Sequence, residues 1–226
     1  MNHSSDHLLI PAEFYFQASV EIPWQADLDK DIQHKKHPKI DNELPNLMFE
    51  ESDSKNTVQF FVAWNEEGIC LQVNAEKKNF PSQPGTLTDP TKGDRIDFFI
   101  DTRDLKTNHR ASKFCHRFTL LPPGTRGKRK QSALMIEQEI SGNRTYREMT
   151  QPEQIPTWDS SSKEGYQVSC WISKAYLEGY DPEHVPSLGF YYVMHDLDFG
   201  TRLFGVGENF PATTDPSLWP SLKLVR

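Results

Sequence analysis

Apolar positions along the chain fall in short β-branched and aromatic runs separated by turn-forming residues. The runs are FYFQASVE (14–21), VQFFVAW (58–64), ICLQVNAE (69–76), RIDFFID (95–101), KFCHRFTLL (113–121), ALMIEQEI (133–140), YQVSCWI (166–172), GFYYVMHDLD (189–198) and SLKLVR (221–226). Lengths and spacing of this kind predict an all-β fold, an antiparallel β-sandwich. NEEG at 65–68 predicts a hairpin between the second and third runs, because its glycine can supply a positive φ in a short turn. Segments 22–57 and 77–93 carry proline and charge with few periodic apolar positions, and they read as long surface loops. SKAYLEGY (173–180) predicts one short helix, with Ser173 as its cap and GYDPEHVP as its stop. At 226 residues one domain is expected, 1–226, whose first 56 residues form an N-terminal strand and an extended loop region.

Strand alternation then sorts the most polar stretch, DRIDFFIDTRD (94–104) and NHRASKFCHRF (108–118), by face. Ile96, Phe98 and Ile100 share the apolar face, with Arg95, Asp97, Phe99 and Asp101 opposite. On the following run Phe114, His116, Phe118 and Leu120 share the apolar face, with Lys113, Cys115, Arg117 and Thr119 opposite. A hairpin register that pairs Asp97 with Arg117 also pairs Asp101 with Lys113 and Phe98 with His116. His116 is thereby expected in the core as a neutral imidazole, and Cys115 cannot join it at one metal because the two point to opposite faces. Asp97 and Arg117 are left as a cross-strand pair next to Phe99. They form either an ion pair or a polar floor offering acceptors and donors to a ligand.

Charge and composition narrow the functions available. The net charge is −7, and the one dense basic run, RGKRK at 126–130, follows the turn-like PPGT. That is too little clustered charge for a nucleic-acid surface, so it is expected to be a solvated loop. Fourteen Phe, 7 Tyr and 5 Trp supply the large side chains of a core. Cys70, Cys115 and Cys170 sit inside strand-like runs and are expected to be buried free thiols. The first residues lack a cationic start, a sustained apolar stretch and a small-residue cleavage site, so no membrane partner and a cytoplasmic setting are expected. His195, Asp196 and Asp198 offer acid–base groups, but no GxSxG, HExxH or P-loop pattern accompanies them, and His195-Asp196 reads as a turn feature.

AWNEEGICLQVNAE, GDRIDFFIDTRD, FCHRF, GYQVSCWI, LGFYYVMHDLD and DPSLWPSLKLV, in this order over about residues 57–226, resemble the family 9 carbohydrate-binding modules. DTRD, HRASKFCHRF and DPSLW are similar to single-domain bacterial proteins of no assigned activity. The resemblance implies a jelly-roll sandwich and a non-catalytic role in binding a carbohydrate or other polyhydroxylated ligand. In sugar-binding members an acidic residue and an arginine that contact the sugar match Asp97 and Arg117. The two tryptophans that enclose the sugar match Thr91 and Thr213, or residues near them, so neither tryptophan is present. Phe99, Phe80 and Phe210 complete the expected ligand-binding set, and Trp219 matches a core aromatic. Calcium is structural in some members, whereas Asp27, Asp29, Asp31, Asp196 and Asp198 lack a recognisable ligand spacing. Related cytochrome-type sandwiches hold haem through methionine and histidine, and the alternative of a haem or metal redox module rests on Met194 and His195. These alternate sides of one strand, and Met194 is expected to pack in the core. A protein-interaction module is the remaining alternative.

Overall fold

In the computed structural model residues 18–47, 57–126, 129–143 and 155–226 are described. Residues 14–17 of the first run and Gly127 and Lys128 of the basic run lie outside them. Among the described residues thirteen strands form, in chain order β1 (Ser19–Pro23), β2 (Thr57–Asn65), β3 (Gly68–Glu76), β4 (Arg95–Asp101), β5 (Cys115–Leu121), β6 (Gly124–Arg126), β7 (Arg129–Gln131), β8 (Leu134–Gln138), β9 (Thr157–Ser161), β10 (Gly165–Ser173), β11 (Ser187–Asp196), β12 (Gly200–Leu203) and β13 (Ser221–Val225). Seven make one sheet in the order β1-β13-β11-β4-β5-β8, with β12 added beside β11. Four make a second, β2-β3-β10-β9, and β6 and β7 pair as a separate ribbon.

The two large sheets bury their facing sides on one another, which is why their strands carry apolar residues at every second position. Ile96, Phe98 and Ile100 of β4 and Phe190, Tyr192 and Met194 of β11 meet Phe60, Val62, Leu71, Val73 and Val168 of the other sheet. Phe60 stacks on Tyr192 across the gap, ring centroids 3.9 Å apart. The expected β2–β3 hairpin forms with Asn65 opposite Gly68. Gly68 has φ +151°, and a Cβ there would fall 2.2 Å from the Ile172 carbonyl oxygen, so only glycine fits.

Both outer faces are covered in part as well. Helix α1 (Leu28–Gln33) lays Leu28 and Ile32, one turn apart, over Ala63, Cys70 and Trp171 on the outside of the four-stranded sheet. This helix lies in a segment expected to be loop; its two apolar residues are too few to establish a helical period in sequence. The expected helix at 173–180 is a single 3₁₀ turn, Lys174–Tyr176, although Ser173 does cap it by accepting from the Ala175 N–H. Outside the seven-stranded sheet, Phe99, Tyr191 and Val193 pack under Cys115, Val206, Ala212 and Trp219. Trp219 is fully buried there, and its Nε1 donates to the Ala212 carbonyl at 2.6 Å. All three cysteines are free and buried, and burial pushes the Cys115 thiol up to about 11.

The β4–β5 register differs from the expected one by two residues. Asp97 stands opposite Thr119, Phe98 opposite Phe118, and Asp101 opposite Cys115. A slip of two leaves every side chain on its face, so alternation alone does not distinguish the registers. Packing does: Ile96 meets Leu120 and Phe98 meets Phe118 in the core, while His116 moves to a place beside Glu137, Nδ1 to Oε1 3.6 Å. Lys113 falls before the strand begins and pairs with Glu178 instead of Asp101.

Candidate functional site

On the outer face of the seven-stranded sheet, alternation places Arg95 and Asp97 of β4, Arg117 and Thr119 of β5, and Val193 and His195 of β11 side by side. Asp97 is the centre of this group. One carboxylate oxygen accepts from Arg117 Nε at 3.3 Å, Arg117 Nη2 at 3.0 Å and Thr119 Oγ1 at 2.5 Å. The other accepts from Arg95 Nε at 3.2 Å. A carboxylate has about four acceptor positions. Four donors reach Asp97, three on one oxygen and one on the other, and its side chain is only 5 % exposed.

The two arginines are in a different condition. Arg95 is 17 % exposed and Arg117 26 %. Arg95 Nη1 donates to the Thr91 carbonyl oxygen at 3.0 Å, and the Arg117 guanidinium lies over the Phe99 ring, 5.7 Å from its centroid. Arg95 Nη2 and Arg117 Nη1 have no partner among the described residues. The result is a pair of oriented guanidinium groups with donors still available, held from below by one buried carboxylate. His195 borders them across β4 from Arg117, opposite Arg95, and is half-buried. Desolvation holds its imidazole below the usual histidine value, Arg95 adds to that, and Asp97 and Glu208 oppose it.

The expected site residues therefore separate. Asp97 and Arg117 are brought together, diagonally rather than directly across the ladder. Phe99 is 1 % exposed and packs against Tyr191 and Trp219, so it supports Arg117 from beneath. Phe80 is half-buried on the loop that Asn79 ties to Asp198. Phe210 is 40 % exposed on the loop following β12. Thr91 and Thr213 are exposed, and the contact between the Thr91 carbonyl and Arg95 brings its loop to the edge of the floor. Arg95, not singled out from the sequence, is the addition. Its signal was its place two residues before Asp97 on the same face.

A second charged cluster lies in the interior. Lys78 Nζ donates to both oxygens of Asp196 and is 3.8 Å from Asp94, with all three side chains 1 % exposed or less. Asp196 also accepts from the N–H groups of Asp198 and Phe199, closing the β11–β12 turn, and Asp94 accepts from those of Gln83 and Leu197. Asp196 is thus a turn feature, as expected, whereas His195 stays in the strand opposite Arg95, and the cation between the aspartates is an ammonium. Met194 is in the core, on the side of its strand away from His195. Among the described residues no three His, Cys, Asp or Glu side chains group as metal donors, and no helix is long and apolar enough to cross a membrane.

No protein-family model matches the chain, and no curated protein matches it. Solved structures share its fold. A family 9 carbohydrate-binding module from Caldicellulosiruptor kristjanssonii in complex with glucose is 14 % identical, with a TM-score of 0.55 over 92 % of this chain and 95 % of that one. The same organism's family 9 module in complex with cellotriose gives 14 % identity and 0.54, covering 91 % and 93 %. A Bacteroides uniformis protein provisionally described as carbohydrate-binding gives 9 % identity and 0.58, covering 92 % and 99 %. The chain has a sandwich fold like that of the family 9 carbohydrate-binding modules.

Proposed function

We propose that the chain is a non-catalytic ligand-binding sandwich, and that the open sheet face around Arg95 and Arg117 takes a carbohydrate or another polyhydroxylated molecule. One observation carries the reading: two partly exposed guanidinium groups are fixed by one buried carboxylate, Arg117 on its Oδ1 and Arg95 on its Oδ2. Donors already held in place bind hydroxyl and ring oxygens without a further ordering cost. Asp97 orients the donors in this reading, and Arg95 and Arg117 make the contacts. Glucose and cellotriose, bound by two of the structural neighbours, are the first ligands to test. With threonines at 91 and 213, ring stacking has to come from Phe80 and Phe210. Three buried free thiols support a reducing, cytoplasmic setting, where a small glycoside or sugar phosphate is a more accessible ligand than a polysaccharide.

The test is a thermal-shift screen of the native chain across neutral sugars, small glycosides and sugar phosphates, followed by calorimetric titration. A ligand of the native state raises the apparent stability. A sugar that raises the melting temperature of the native protein but not of Arg117→Ala is the expected result. No shift with any polyhydroxylated compound would remove carbohydrate from the reading.

A further inference from the structure

We propose a second binding site, in the cleft between the β6–β7 hairpin and the β9–β10 turn, for the phosphoryl or sulfuryl group of a small molecule. It does not depend on the reading of the sheet face. The cleft has a volume of about 380 Å³ and is lined by Ser82, Thr125, Lys130, Ser161, Ser162 and Lys163, together with prolines and glycines. That volume suits a small ligand. Two lysines and four hydroxyl-bearing residues line one space, and none of the lining residues among those described is acidic. Glu164, next in the turn, lines the adjoining cleft instead.

The walls are tied down by the backbone. The Thr125 N–H donates to the Ser82 carbonyl at 2.9 Å, and Gly124 lies so close to that oxygen that a Cβ would fall 2.2 Å from it. Thr125 pairs with Lys130 across the hairpin, which fixes where the lysine starts. On the other side, the Ser162 N–H and Oγ both donate to the Gly165 carbonyl, at 2.9 and 3.4 Å.

Ser82 is the observation that points to a ligand. It is 3 % exposed, it lines the cleft, and its buried Oγ has no hydrogen-bond partner among the described residues. Buried hydroxyls are nearly always paired, so an orphan in the wall of a cleft that two lysines also line marks the place of an acceptor supplied from outside. A tetrahedral oxyanion offers several acceptor oxygens together with the negative charge that lysine ammonium groups neutralise as point charges. The chain as a whole is acidic, net −7, so attraction for an anion has to be local. The basic run at 126–130 contributes Lys130 to this cleft.

Calorimetric titration of the full chain with inorganic phosphate, with sulfate and with glucose 6-phosphate tests the assignment. Saturable binding of phosphate or sulfate is expected, weakened about tenfold or more in the double variant Lys130→Gln/Lys163→Gln. Both lysines are exposed, so that variant keeps its fold and melting temperature. Ser82→Ala is expected to weaken binding while leaving the ligand-free protein at least as stable. Tighter binding of glucose 6-phosphate than of phosphate, retained in Arg117→Ala, supports a phosphate ester at this cleft and separates it from the sheet face. Absence of saturable binding up to about 20 mM, or equal affinity in the double variant, overturns the proposal.

Discussion

Asp97 gathers two arginines and Asp196 one lysine, each with further hydrogen-bond donors, and the two clusters end in opposite conditions. Around Asp196, Lys78 is sealed between carboxylates at 1 % exposure, and the surrounding N–H groups belong to turns that the cluster closes. Around Asp97 the carboxylate is equally covered, but its arginines keep 17 % and 26 % of their side chains exposed. The contrast shows that desolvation of the cation, more than the identity of the charges, decides what such a group does. A sealed ammonium can only hold structure together. A guanidinium with open N–H groups can still bind.

The largest expected effect separates the clusters directly. Lys78→Met leaves Asp94 and Asp196 buried without a counter-charge and is expected to cost about 3–5 kcal/mol in urea denaturation, the scale for breaking a buried ion pair. Arg117→Ala, at the open cluster, is expected to lower stability by only about 1 kcal/mol. If the two variants proved equally destabilised, the distinction between a structural and a binding cluster would fail.

Asp97→Ala should fall between them. It releases both arginines at once, and a loss of roughly 1.5–3 kcal/mol is expected, the scale for hydrogen bonds to a charged group. Ligand binding is expected to disappear with it. A variant that keeps full affinity would show that the arginines need no orienting carboxylate.

The smallest effect sharpens the electrostatics of the open face. His195 has its proton affinity lowered in the folded state, chiefly by desolvation. The unfolded chain therefore takes up a proton first as pH falls below the ordinary histidine value of 6.5, and stability declines with falling pH in that window. His37 is shifted the same way by burial and adds to the slope. An NMR titration of His195 is expected to give a midpoint below 6.5, and His195→Gln should flatten part of the pH dependence of stability between neutral pH and the lower end of that window. A midpoint above the ordinary value would place Asp97 and Glu208, not desolvation, in control of this histidine.

The sequence carried the sandwich because alternation is a local signal, and β4, β5 and β11 each show it in seven to ten residues. It also carried the faces, and with them the meeting of Asp97 and Arg117. The register was not legible, since a slip of two residues conserves every face and only the packing of Phe98 against Phe118 separates the alternatives. Helix α1 escaped because its buried stripe is just Leu28 and Ile32. Phe99 looked like a ligand contact because the second face of β4 reads as polar at its ends; the loops carrying Val206, Ala212 and Trp219 cover its middle. Lys78 had no local signal at all, as its partners lie 16 and 118 residues along the chain.

On the proposed reading Arg117 contacts ligand from a floor that Asp97 organises. Calorimetric titration of folded Arg117→Ala with whichever polyhydroxylated compound the screen of the native protein identifies tests it most directly. A loss of about 1.5–3 kcal/mol in binding, with a circular dichroism spectrum like that of the native chain, is the result expected. Unchanged affinity in the folded variant would return the Asp97–Arg117 pair to a purely structural role.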